Sequence, residues 1–296
     1  MKRLREFDYH EPATLAEAIA ILHAAGDVAR VLAGGTDLVV DMKTGRMRPT
    51  TIVNLKGIAG LAGIGDVAGG TRIGALTKVT DVEESSLVQD RHPALAEAAS
   101  LLASPPVRAL ATIGGNVGRA SPASDLGPAL IVSSATATIE GRTGARDELV
   151  EALYTGPGTT SLAASDIITS IFIPSPPPGF GSAHVKLGKR GSGTDIAMAG
   201  ASASVVIGAG GEISDCRIAL ASLGPTPFRA LDTERLLRHE VPTKAVLSAA
   251  AAAAGREAKP IGDMRASASY RTTLAEVLTK RALYAAIAAS GAAVAA

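Results

Sequence analysis

Of the 296 residues only one, Cys216, is cysteine, none is tryptophan, and just four tyrosines and four phenylalanines are present. A lone thiol cannot close a disulfide within the chain, and it falls short of the roughly four ligands that an iron–sulfur cluster takes. Any such centre working with this protein must sit in another chain. Excess charge is missing too: 29 Lys and Arg against 28 Asp and Glu leave a formal net charge of +1. That balance gives no basic field for nucleic acid. The N-terminal stretch MKRLREFDYHEPATL has no apolar h-region, so no signal peptide is read and the cytoplasm is the expected compartment. The C-terminal run ALYAAIAASGAAVAA is Ala-dominated and shorter than the ~20 apolar residues of a membrane helix. No membrane span is expected.

Several chemical signatures are also missing. The sequence contains no His-Glu-x-x-His, no Gly-x-Ser-x-Gly and no phosphate loop, and its five histidines are scattered. The stretch VVIGAGGEIS has an apolar lead-in, but Ile213 stands where a dinucleotide fingerprint needs its third glycine, so a hairpin turn is expected there.

What is present reads as two α+β domains. Thr14 with Glu17 forms a capping box, Leu15, Ala18, Ile19 and Leu22 share a helical face, and Gly26 offers a left-handed stop. VARVLAGG then reads as a strand, TDLVVDMKTG as a helix capped by Thr36 or Asp37, and TIVNL as a strand, together a small βαβ-like unit over residues 1–56. Residues 57–175 form a second subdomain of mixed or antiparallel sheet with helices. It comprises a Gly-Gly hairpin, a helix opened by Pro93, a helix through LGPALIVS, and strands ATATIE and IITSIFIP. The run PSPPPGFG, residues 174–181, breaks the pattern and marks a domain boundary. Residues 176–296 predict a three-stranded sheet followed by helices near 228–239, 243–256 and 271–289.

Two glycine segments carry the chemistry. Gly34, Gly35, Thr36 and Asp37 precede a helix, and Thr112, Gly114, Gly115 and Asn116 follow a short β-like run. Consecutive glycines let backbone N–H groups approach an anion closely. Desolvating a pyrophosphate costs several kcal/mol, and charge-assisted hydrogen bonds return roughly 1.5 to 3 kcal/mol each, so about four donors are needed. Two turns of like chemistry in one domain suggest a dinucleotide, with Asp125 accepting from ribose hydroxyls.

AGGTDLVVDMK, TRIGALT, TIGGN and SPASDLGPAL closely resemble the FAD-binding medium subunit of molybdenum-containing hydroxylases, the group of xanthine dehydrogenase and carbon monoxide dehydrogenase. VKLGKRGSGTDIAMA and DMRASASYRTTLAEVLTKRAL extend the likeness over nearly the whole chain. The resemblance implies that the dinucleotide is FAD, held by Ala33, Gly34, Gly35, Thr36 and Asp37 and by Thr112, Ile113, Gly114, Gly115 and Asn116. It implies adenosine-side contacts from Ser124 and Asp125, an apolar cover from Ile167 and Ile168, and a lysine near the flavin at Lys186, with Arg190 and Asp195 beside it. A large molybdenum-cofactor chain and a small iron–sulfur chain are the implied partners, in a dimer of heterotrimers. Arg108-Ala109 departs from the Arg-Asn of many members, and the scarcity of aromatics leaves no assured ring to stack on the isoalloxazine. Two other readings stay open on the residues alone: a free-standing FAD oxidase of the vanillyl-alcohol-oxidase type, and a scaffold without flavin.

Overall fold

In the computed structural model, residues 4–190 and 195–295 are described; Gly191–Thr194, within the last of the resembling stretches but one, and the extreme termini lie outside them. The capping box forms: the Thr14 hydroxyl accepts from the Glu17 N–H at 3.2 Å while Glu17 reaches back to the Ala13 N–H at 2.9 Å. The helix Leu15–Ala25 follows and buries Ala18 and Leu22. It packs on a parallel three-stranded sheet in which Thr51–Asn54 lies between Asp8–His10 and Ala29–Leu32. The βαβ unit is therefore present with an additional strand, Asp8–His10, whose three mostly exposed residues carry no apolar alternation.

The second subdomain is a five-stranded antiparallel sheet built on Ile167–Pro174. That strand pairs with Gly70–Gly74 on one side and Thr136–Gly141 on the other, with Ile64–Val67 and Gly144–Leu149 at the edges. Helices Pro93–Leu101 and Leu126–Val132 cover it, and their apolar faces join Ile139, Ile171 and Ile173 in one buried core. Gly144–Leu149 escaped the sequence reading because its residues, GARDEL, are nearly all exposed and carry no apolar alternation.

The C-terminal domain carries three long antiparallel strands, Phe180–Gly188, Ala197–Ile207 and Ile213–Ala221. A two-residue fourth strand, Phe228–Arg229, extends the sheet. VVIGAGGEIS is a hairpin, since its two flanking strands pair directly. Helices Leu231–Leu237, Lys244–Glu257 and Ala268–Ala289 follow, and the last of these packs on the sheet through Leu278, Ala282 and Ala286. Among the described residues no helix is long and apolar enough to cross a membrane.

The two domains meet where helix Pro93–Leu101 lies on strand Phe180–Gly188 and helix Leu126–Val132 on strand Ile213–Ala221. His184 is buried in that seam. Its backbone N–H donates to Glu97 Oε2 at 2.6 Å, and its Nδ1 lies 2.8 Å from the Ser202 hydroxyl. Burial, reinforced by Lys186, pushes its pKa down to about 3, and burial with Arg91 pushes that of His92 down to about 4. An unfolded chain takes up protons on both rings near pH ~6.5. The contribution of these neutral rings is therefore complete above that pH and is lost as pH falls towards 4 and below. Urea midpoints should drop between pH 7 and 4.5, and His184→Gln should flatten that drop. Parallel slopes for the two proteins would remove His184 from the acid sensitivity.

Candidate functional site

A cleft of 630 Å³ opens between the small parallel unit and the antiparallel subdomain, and both glycine segments line it. Of the residues singled out from sequence, Ala33, Gly34, Gly35, Thr36, Asp37, Thr112, Gly114, Gly115, Asn116, Ile167 and Ile168 border this space. Ile113, Ser124, Asp125 and Lys186 do not.

The first segment is an open loop. Gly35 adopts φ +75°, a left-handed conformation that glycine takes without penalty. Gly34 has no room for a side chain, because a Cβ would collide with the Leu110 carbonyl. The loop thus sits directly against the chain that leads into the second segment. Its backbone N–H groups at Gly34, Gly35, Thr36, Asp37 and Leu38 have no hydrogen-bond partner among the described residues. The helix Leu38–Thr44 begins there, but neither Thr36 nor Asp37 caps it through a side chain; the Asp37 carboxylate instead lies 3.7 Å from Arg119. Lys56 steadies the loop from behind by donating to the Ala33 carbonyl at 3.1 Å.

The second segment differs from the expected bare turn. It is the start of a helix, Ile113–Arg119, capped by the Thr112 hydroxyl, which accepts from the Gly115 N–H. The other donors are engaged as well: Ile113 N–H bonds the Thr77 carbonyl, Gly114 N–H the Ala75 carbonyl and Asn116 N–H that of Thr112. Gly114 is needed for packing, since a Cβ would stand 2.6 Å from that of Ala75. What this segment offers the cleft is a bare helical surface at Gly115 and Gly118, both exposed, and the Asn116 amide. Asn116 is oriented by Ser124, whose hydroxyl donates to its Oδ1 at 2.6 Å, leaving Nδ2 free to donate into the cleft.

Ser124 therefore acts one step behind the surface, and Asp125 faces away from it. The Asp125 carboxylate accepts from Lys186 Nζ at 2.9 Å, and the same ammonium donates to the Leu101 carbonyl at 2.6 Å. The side chains of Lys186 and Asp125 are 1% and 9% exposed. Burial raises the pKa of the carboxyl, to about 6, against the opposing pull of Lys186. An ion pair so enclosed is not an open ribose acceptor; it ties strand Phe180–Gly188 to the end of helix Pro93–Leu101 and the start of helix Leu126–Val132. Arg190 and Asp195 form their own local contact, the Arg190 N–H donating to Asp195 Oδ2 at 2.7 Å.

Three features were not legible in the sequence. Arg119 joins the two segments, its Nη2 lying 3.1 Å from Asp41, a buried residue of helix Leu38–Thr44. Arg30 also lines the cleft, bonds only the Asp27 and Ala29 carbonyls, and makes no ion pair among the described residues, so it leaves uncompensated positive charge there. Asp166 ties down the far wall by accepting from the Ala163 N–H at 2.9 Å and from Arg146 at 2.7 Å. Arg108 resolves the departure noted before the second segment. It pairs with Glu83 at 2.7 Å and donates to the Leu102 and Ala103 carbonyls, bracing the chain without the asparagine of other members.

The arrangement fits a dinucleotide. Five unpartnered N–H groups in one loop meet the count a pyrophosphate requires, and Leu22, Leu55, Leu76, Val107, Leu162 and Ile168 supply apolar walls for ring systems. Residues 5–176 match the family model described as the FAD binding domain in molybdopterin dehydrogenase, and residues 183–286 match the CO dehydrogenase flavoprotein C-terminal domain. The chain belongs to the molybdopterin-dehydrogenase flavoprotein family. It is 37% identical over 280 residues to the carbon monoxide dehydrogenase medium chain of Hydrogenophaga pseudoflava, covering 95% of this chain and 96% of that one. It is 33% identical over 285 residues to the xanthine dehydrogenase FAD-binding subunit of Escherichia coli O157:H7, covering 96% and 97%. A solved carbon monoxide dehydrogenase of H. pseudoflava superposes with a TM-score of 0.93 at 36% identity, over 97% of this chain and 99% of that one. The resemblance drawn from the motifs is thereby established for the family flavoprotein as a whole. Burial pushes the Cys216 thiol up to about 12, which keeps it in the unreactive protonated form, and its Sγ lies 3.6 Å from the Glu234 carbonyl.

Proposed function

We propose that this chain is the flavin subunit of a molybdenum hydroxylase, binding FAD non-covalently in the 630 Å³ cleft. The observation that carries this reading is the loop of five free N–H groups facing an apolar cleft in a chain of this family. The Gly34–Leu38 backbone and Asn116 hold the pyrophosphate, Arg30 adds positive charge, and the apolar walls exclude water from the ring systems. When bound, FAD supplies the capacity to take electrons and pass them to an external acceptor. The side chains of this chain bind and orient it; none is needed as a general acid or base on an organic substrate. That chemistry belongs to a large molybdenum-cofactor chain, with a small iron–sulfur chain delivering the electrons, in a dimer of heterotrimers in the cytoplasm. The division of the chain falls at 175/176. A free-standing oxidase would need acid–base residues in the cleft, whereas its charged groups Asp37, Asp41 and Asp166 are engaged with arginines.

Purified protein should be yellow, and heat-released cofactor should chromatograph as FAD at about one per chain. FMN alone, which has no pyrophosphate, would contradict the assignment of the loop. Anaerobic mixing with reduced partner chains should bleach the flavin bands, whereas turnover of an organic substrate by the isolated chain would establish the oxidase reading instead.

A further inference from the structure

The seam between the domains holds a second cavity, of 130 Å³, that shares no lining residue with the cleft. Ser133, Ser134 and Ser175 face it from the first domain and the chain leaving it, and Ser204 and Arg217 face it from the C-terminal sheet. Arg217 is half-buried, and its Nη1 is fully enclosed without a hydrogen-bond acceptor. Its guanidinium makes no hydrogen bond or ion pair with any described residue. A guanidinium stays charged at every accessible pH, and enclosing one of its donors without an acceptor is unfavourable. Asp215 lines the same cavity, but its carboxylate is taken by Arg238 Nε at 3.1 Å. The hydroxyls of Ser133 and Ser204 donate to the Ala129 and Val132 carbonyls, whereas those of Ser134 and Ser175 make no hydrogen bond among the described residues.

The cavity thus combines one half-buried, uncompensated cation with the unbonded hydroxyls of half-buried Ser134 and, at the exposed rim, Ser175, in a space far smaller than a nucleotide site. We propose that it binds a tetrahedral oxyanion, phosphate or sulfate in class, held by Arg217 with Ser134 and Ser175, and that this anion bridges the two domains. Forked guanidinium donors match two oxygens of such an anion, and the hydroxyls complete its shell.

The test uses the full chain saturated with FAD, so that added phosphate cannot act at the cleft, with flavin absorbance followed throughout. Thermal midpoints are measured in inorganic phosphate, in glycerol phosphate and in chloride at matched ionic strength. Inorganic phosphate should raise the midpoint saturably over chloride. Arg217→Gln should abolish that difference while keeping its circular dichroism and flavin, and Arg217→Lys should retain part of it. If only the ester raises the midpoint, the site takes a phosphate group carried by a larger ligand, and the oxyanion assignment stands. General salting-out stabilises both proteins alike. An equal response in wild type and Arg217→Gln to whichever phosphate acts, or none in wild type to either inorganic phosphate or the ester, therefore overturns the proposal. Should Arg217→Gln fail to fold, the Ser134→Ala, Ser175→Ala double variant replaces it, with the half-effect concentration expected to rise about tenfold; an unchanged value is again a refutation.

Discussion

Lys186→Met lowers the stability of the fold by about 3–5 kcal/mol, the usual consequence of stripping one partner from a buried ion pair. The reason lies in the enclosure of the pair. Asp125 Oδ2 has Lys186 Nζ as its partner, and Oδ1 is already buried without a hydrogen bond. Removing the ammonium leaves a carboxylate with no counter-charge and also frees the Leu101 carbonyl. The pH dependence identifies the cause. Burial already raises Asp125 to about 6 with Lys186 in place; without it the folded-state value moves higher, while the unfolded value stays near ~3.9. A raised carboxyl makes the folded state bind its proton more tightly, so its contribution to stability falls as pH rises from the unfolded value through the folded one. Below about 6 both proteins hold the proton and the gap between them narrows; above it the variant alone keeps losing stability. Urea midpoints of the two proteins across pH 5–8 measure this directly. Adding Asp125→Asn should recover much of the loss. A gap that stays constant with pH, unrelieved in the double variant, would mean that lost packing is responsible.

This pair also shows where the sequence stops being informative. Lys186 in isolation reads as a surface residue, because lysine is seldom buried. Its resemblance to a flavin-side lysine came from motif context, and that context cannot say that Asp125, 61 positions earlier, meets it across a domain seam. Local rules fared better wherever the cause was local. The capping box at Thr14 and Glu17, the Gly-Gly hairpin before Gly70–Gly74 and the helix opened by Pro93 each depend on neighbours within a few residues. TIGGN illustrates the opposite case. Three glycines in seven residues argue against a helix, yet Ile113–Arg119 is one because Gly114 packs on Ala75 and Thr112 caps its first turn. The expected second anion nest was lost to those tertiary bonds, and the first loop carries the free donors by itself. The cleft's glycines were legible as a group; which of them packs, which turns and which faces the ligand was decided by contacts 35 or more residues away, such as Gly34 with Leu110 and Gly114 with Ala75.

Gly115→Val should weaken FAD binding by about a hundredfold or more, ~2.7 kcal/mol, with a much smaller effect on the fold. Gly115 is exposed on the cleft side of its helix, and its backbone has an ordinary negative φ, so valine is not excluded by conformation. Its Cβ would lie 2.8 Å from the Thr112 hydroxyl, displacing that cap at a cost of roughly 1 kcal/mol. The branched methyls beyond it fill the space in which the dinucleotide must touch bare backbone. Two companions separate binding from folding. In Gly118→Ala the new methyl meets nothing closer than Ile168 Cδ1 at 3.9 Å, so helix propensity should improve by up to ~1 kcal/mol while the methyl intrudes on the cleft. Gly34→Ala instead collides with the Leu110 carbonyl and forces the two segments apart, so both stability and flavin should fall. Flavin retention after gel filtration, FAD titration by fluorescence quenching and thermal midpoints of the stripped proteins provide the comparison. Wild-type FAD affinity in Gly115→Val and Gly118→Ala alike would move the dinucleotide off this helical face, leaving the Gly34–Leu38 loop to hold it against the opposite wall.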